Sequence, residues 1–202
     1  RAEDNRRDSL FDPMRRREAY ATSGTRPLVR FFGVDYPENL CEDPQAIRLA
    51  YDKGVPMGGV LTPPTGDMQP RFYLSAQRDL GTARFPSNPL ERLQIVKGWV
   101  DDNGKTHERV YDVAGSPVTG LGVDPLTCAA TALGSQNLCA VWRDPDATPG
   151  QSAFYYARVL ETPSCRWSTH QCQNMGVNPL SEACPDRLRN NARGDHARGY
   201  LS

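Results

Sequence analysis

Apolar and polar positions are most regularly ordered in residues 90–114. Two runs rich in Leu, Ile, Val, Trp and Tyr flank the polar turn Asp101-Asp102-Asn103-Gly104, with Gly where a positive φ is needed. That pattern predicts a β-hairpin, and a hairpin implies an antiparallel sheet. Residues 71–77 alternate too, with Phe72, Leu74 and Ala76 on one face, as in a half-buried strand. Residues 28–32 (LVRFF), 138–142 and 154–160 (FYYARVL) have strand composition.

Helical spacing is confined to the early chain. In residues 6–20, Leu10, Phe11 and Met14 form a narrow apolar stripe that Pro13 interrupts. The least costly arrangement makes Asp12 an N-cap and Pro13 the first helical residue, splitting the segment in two. Thr22-Ser23-Gly24 is then expected to end the helix. Residues 44–53 predict a second helix, capped by Asp43, with Lys53 in its last turn and Gly54 as the C′ residue. The loop Val55-Pro56-Met57-Gly58-Gly59 follows, and its paired glycines imply unusual backbone angles or a close approach by another chain or ligand. Residues 61–70 and 115–136 are expected to be loops.

Strands in series after early helices give a mainly β, α+β chain: an antiparallel β-sandwich-like domain preceded by one or two short helices. The expected organisation is a helix and turn over 1–27, a β-rich domain over 28–163, and an irregular, disulfide-braced tail over 164–202.

Composition narrows the partners. Lys and Arg number 24, Asp and Glu 24, so the basic excess expected of a nucleic-acid binder is missing. The cluster Arg15-Arg16-Arg17 has Glu18 and Asp12 beside it and predicts a solvated helix face. No apolar run reaches the length of a membrane span. The chain starts Arg1-Ala2-Glu3 rather than with Met, so a missing or processed N-terminus is expected. Six cysteines in a chain with 17 Gly and 17 Pro suggest an oxidising compartment. The alternative is six reduced, buried thiols in a cytosolic protein. Six cysteines allow fifteen pairings; the shortest loops, Cys128 with Cys139 and Cys165 with Cys172, are the expected ones. Zinc is disfavoured because no Cys-x-x-Cys pair occurs.

The residues present no complete active site. His107, His170 and His196 have no partner His at ligand spacing. No Gly-x-Ser-x-Gly elbow occurs, and Gly120-Leu121-Gly122 lacks the third glycine of a dinucleotide loop. His170 and Cys172 are the only local pair suited to thiol catalysis. Residues 22–26 offer hydroxyls, amides and the Arg26 guanidinium, the makings of an anion site. Met57 and Gly58 could lie against a ligand. Lys97-Gly98-Trp99 sits on a strand where Gly suggests a bulge, and Lys97 is expected at the surface.

Several segments taken together resemble the C-terminal part of the bacterial domain-of-unknown-function family DUF3604. They are residues 16–26 (RREAYATSGTR), 29–33 (VRFFG), 54–59 (GVPMGG), 93–99 (LQIVKGW), 110–114 (VYDVA), 141–145 (VWRDP), 153–161 (AFYYARVLE) and 165–169 (CRWST). Pro13 departs from the family pattern, as do the residues after about 185. The upstream half of such proteins resembles the PHP metal-dependent phosphoesterases. The resemblance implies that the divalent-metal ligands lie upstream, with no metal or other cofactor bound by this chain. It also implies a secreted or periplasmic hydrolase of phosphoesters or related esters. This chain would pack beside that catalytic domain of the same protein as an accessory, substrate-shaping segment, with residues 1–27 as the terminal helix and turn of the upstream barrel. Arg26, Met57 and Gly58 would lie nearest the substrate, with Lys97, Trp99 and His170 as further candidates. The rival expectation is a stand-alone, disulfide-stabilised binding module without catalysis.

Overall fold

A computed structural model describes residues 4–33, 36–62, 69–83, 86–117, 122–124, 126–131 and 133–185. Among them, seven strands form two antiparallel sheets. One sheet runs β2 (Val55–Pro56), β1 (Leu28–Gly33), β3 (Arg71–Gln77), β6 (Asn137–Arg143). The other runs β5 (Thr106–Gly115), β4 (Leu90–Val100), β7 (Ala153–Glu161). Three short helices accompany them: α1 (Arg7–Arg15), α2 (Ala46–Lys53) and α3 (Trp167–Asn174). The α+β, sandwich-like class expected from the strand pattern is the observed one.

Alternation along the strands explains the layering. Val29, Phe31, Phe72, Leu74 and Ala76 point from the first sheet toward Leu90, Leu93 and Ile95 of the second, and this is the main core. The opposite parity, Phe32 and Tyr73, faces away and packs with Tyr36, Leu40, Ala46 and Ala50. Helix α2 and the 3-10 turn Glu38–Glu42 thus cover the outer face of the first sheet. The predicted hairpin joins β4 to β5. Gly104 has φ +78°, and the Asp101 carboxylate accepts the Asn103 and Lys105 amides at 2.9 Å each.

Five local expectations need correction. Helix α1 is not split: Pro13 lies inside it, in its last turn. One backbone bond is all that Pro forgoes there, and its ring is buried. The helix stops at Arg15 rather than at 22–24, because Arg17 turns left-handed at φ +60°. The irregularities of β4 fall between Leu90 and Arg92 and between Leu93 and Gln94, not at Gly98. Gly98 instead lies opposite Phe154, whose ring would stand 2.2 Å from an added Cβ. The segment after 164 is not wholly irregular, since it contains α3. Gly54 follows α2 but is extended (φ −96°); its lack of a Cβ makes room for the Tyr36 hydroxyl.

All six cysteines are paired, but not by the shortest loops. The bridges are Cys41–Cys139, Cys128–Cys165 and Cys172–Cys184. Cys139 sits in β6 on the face covered by the 3-10 turn, which carries Cys41. Cys165 precedes α3 while Cys172 lies within it, fully buried against Cys184. Rigid elements, not loop length, choose the partners. Three disulfides fit an oxidising, extracytoplasmic environment. No helix among the described residues is long and apolar enough to cross a membrane.

Candidate functional site

The sequence candidates do not converge. Met57 is half-buried, and its amide donates to the Phe31 carbonyl at 3.0 Å. Gly58, at φ +88°, lies against the chain itself: an added Cβ would stand 2.2 Å from the Arg16 carbonyl oxygen. The close approach expected at the paired glycines is therefore made by the turn after α1. A groove of about 800 Å³ runs along this junction, lined by Arg16, Glu18, Tyr20, Arg30, Tyr51 and Met57 among others.

Lys97 corrects an expectation. Strand parity carries Leu93 and Ile95 inward, and Lys97 follows them to 1% exposure. Its Nζ lies 2.7 Å from Asp144 Oδ2 and donates to the Asp146 carbonyl at 2.7 Å. Asp144 is wholly buried and well supplied with donors. Tyr155 donates its hydroxyl to Oδ2 at 2.6 Å, and the Asp146 amide donates to Oδ1 at 2.9 Å. Burial, then the bond to Asp144, drives the Tyr155 pKa far up. Trp99 walls the ammonium, 5.2 Å from ring centroid to Nζ, and stacks on His107. His107 in turn pairs with Asp101 at 2.8 Å. Toward solvent the network runs to Tyr111 and Arg109, both on the Asp146 carboxylate. Asp144 directly follows β6 of one sheet and Lys97 belongs to β4 of the other, so the pair ties the two sheets together. Lys97 and Asp144 are both fully engaged, and at 1% and 0% exposure neither opens to solvent.

Glu161 presents the opposite situation. It ends β7, and one carboxylate oxygen accepts the Thr25 hydroxyl at 2.7 Å. Its other oxygen, Oε1, is buried with no partner among the described residues. Burial raises its pKa most, and Asp79 adds to this; the Thr25 hydroxyl and Arg78 act the other way. Asp79 accepts the Arg26 amide at 3.0 Å and the Gly81 amide at 2.9 Å. Donation from these amides, Gly81 first, lowers the Asp79 pKa. Thr162, 2% exposed, also has an unpartnered hydroxyl. Both residues contribute to the lining of an open cavity of about 300 Å³ bordered by residues 20–25, although the two unpartnered oxygens are themselves shielded from solvent. Within residues 22–26 the Thr25 hydroxyl and the Arg26 amide are already engaged by the Glu161 and Asp79 carboxylates. Arg26 is exposed and does not line the cavity.

His170 is exposed on α3, and its neighbour Cys172 is disulfide-bonded, which overturns thiol catalysis by that pair. His196 and residues 118–121 of the glycine motifs lie outside the described residues. Among the described residues no group of three or more His, Cys, Asp or Glu could hold a metal ion, so no catalytic step through a metal is assigned to them. Sequence reasoning missed Asp144, Tyr155, Glu161 and Thr162. One signal was present for the first two: the parity that buries Leu93 and Ile95 buries Lys97 too, and a buried ammonium requires a carboxylate.

Comparison with known proteins matches the chain to a family. The family model described as Protein of unknown function (DUF3604) matches residues 1–193. The match therefore continues past residue 185, where the sequence resemblance was expected to end. No curated protein and no solved structure matches the chain.

Proposed function

The chain belongs to the DUF3604 family, and on that premise we propose that it is the accessory segment of a periplasmic or secreted hydrolase. In this reading it docks beside a PHP-like metal-dependent phosphoesterase region of the same protein and shapes the mouth of that active site. The substrate class is a phosphoester or related ester, attacked by a metal-activated water outside this chain. No bond-breaking step falls to the residues described above.

One observation carries the reading. Helix α1 turns its apolar stripe to solvent: Leu10 is 46% exposed, Phe11 53% and Met14 58%. The helix is nonetheless anchored, by the buried ring of Pro13 and by the Arg16 and Arg17 backbone seated on Gly58. An anchored helix with its apolar side uncovered suits a surface that meets another domain. Along the other side of α1 runs the Arg16–Met57 groove, which suits the substrate-facing role expected of Met57.

The test replaces Leu10, Phe11 and Met14 with Ser in the parent protein. The expected result is a clear fall in ester turnover, while this chain alone unfolds within about 0.5 kcal/mol of wild type, as surface changes usually do. Undiminished turnover would remove α1 as the docking element. A second reading, a stand-alone binding module, draws on the three disulfides. They brace the fold without any help from α1.

A further inference from the structure

An antiparallel sheet with one face on the core usually carries polar residues on the other. The outer face of the β5–β4–β7 sheet departs from this. Cross-strand pairing sets Glu108, Gly98 and Phe154 in one row and Val110, Val96 and Tyr156 in the next. A third row holds Asp112, Gln94 and Arg158. Phe154 is 61% exposed and Tyr156 42%. Their rings are parallel within 11°, with centroids 6.4 Å apart. Phe154 Cζ, Cε1 and Cε2 would stand 2.2, 2.4 and 2.9 Å from a Cβ on Gly98, distances that put the face of the ring, not its edge, toward that residue. Gly98 is buried, so one side of the ring is spent on the sheet and the exposure belongs to the other. Next to the rings, the third row forms a fixed polar rim. Gln94 donates to Asp112 Oδ1 at 2.6 Å and accepts from Arg158 Nε at 2.7 Å, and the Asp112 carboxylate is exposed.

Exposed apolar surface rimmed by polar groups marks interaction sites, and the chemistry of this one narrows the occupant. Glu108 and Asp112 beside the rings oppose a phosphate-bearing ligand, and with Arg158 among them the face has no dominant sign. The electronegative face of an aromatic ring attracts polarised C–H bonds. A pyranose with equatorial substituents has C–H bonds on its faces and hydroxyls around its rim, the same division that the rings and the third row present. Two parallel rings suit an extended chain of such sugars rather than a single one. We propose that this sheet face binds a neutral, extended β-linked oligosaccharide, with Phe154 and Tyr156 stacked on its sugar rings and Asp112 and Arg158 bonding hydroxyls at its edge. The Gln94 bridge orients both of those side chains before the ligand arrives. This inference goes beyond the docking role and does not rest on it, since no residue of α1 takes part.

The experiment is an NMR titration of the isotope-labelled chain with cellohexaose and xylohexaose, alongside D-glucose, maltohexaose (a coiled α-linked chain) and decaproline. Saturable shifts are expected with at least one β-linked hexasaccharide, centred on the Gly98, Phe154 and Tyr156 amides, with D-glucose binding more weakly. Phe154→Ala and Tyr156→Ala should each weaken binding about tenfold, the scale of one lost aromatic stack. Phe154→Tyr, which keeps the ring, should bind within about twofold of wild type. The proposal is overturned if neither β-linked chain saturates, if the shifts centre elsewhere, or if maltohexaose or decaproline binds as tightly. It is likewise overturned if both Ala variants bind as wild type does. Self-association of the unliganded chain that Phe154→Ala abolishes would overturn it in favour of a second copy on this face. Should an Ala variant fail to fold, the position of the wild-type shifts and the affinity of Phe154→Tyr decide.

Discussion

Asp144 and Glu161 are carboxylates at the two ends of the same sandwich, and they are kept in opposite ways. Asp144 is fully buried and receives Lys97, Tyr155 and a backbone amide. Glu161 is half-buried, receives Thr25 on one oxygen and keeps the other buried with no partner among the described residues. The first arrangement is closed and joins two sheets. The second is incomplete within the described chain. A buried charge alone therefore does not mark a functional site; whether its polar atoms are fully partnered distinguishes the two cases.

The largest effect is expected at Asp144. Asp144→Ala leaves the Lys97 ammonium buried and unpaired and should cost about 3–5 kcal/mol in urea denaturation. Adding Lys97→Met should return a large part of that loss. A cost under about 1 kcal/mol would mean that the pair is not held as described. Tyr155→Phe removes one donor to a charged acceptor and should cost about 1.5–3 kcal/mol.

Glu161 should show itself through pH. Its folded-state pKa is raised, chiefly by burial. Its contribution is thus fully present below the unfolded value and is lost as pH rises from the ordinary carboxylate range through the raised one. Glu161→Gln should remove that loss, so the stability of wild type relative to the variant falls as pH increases. A pH-independent difference would contradict the burial of this group. The smallest effect is expected at Thr162. Because its hydroxyl has no partner among the described residues, Thr162→Val should change stability by no more than about 0.5 kcal/mol. A loss as large as that of Tyr155→Phe would mean the hydroxyl is already satisfied.

Much of the sandwich was legible because period-two alternation is a local signal. The hairpin at 90–114 announced itself through its turn, and β3 through Phe72, Leu74 and Ala76. The disulfides were not legible, because Cys139 meets Cys41 only once β6 and the 3-10 turn are in place. Helix α3 was obscured by its polar sequence (WSTHQCQN), held by the bridge through Cys172 rather than by an apolar face. The site residues were hardest. Glu161 meets Thr25 across 136 positions of sequence, and nothing local marks either as a partner of the other. Lys97 was misjudged as a surface residue although it shares the parity of Leu93 and Ile95, because β4 is buried on both faces, Gln94 and Val96 included.

The central claim, that this chain assists a catalytic region and does not cleave esters itself, is tested most directly by one paired measurement. Bound divalent metal and phosphodiester turnover are assayed in this chain and in the parent protein carrying the upstream region. The account predicts stoichiometric metal and turnover in the parent protein and neither in the 202-residue chain. Stoichiometric metal with turnover in the chain by itself would contradict it.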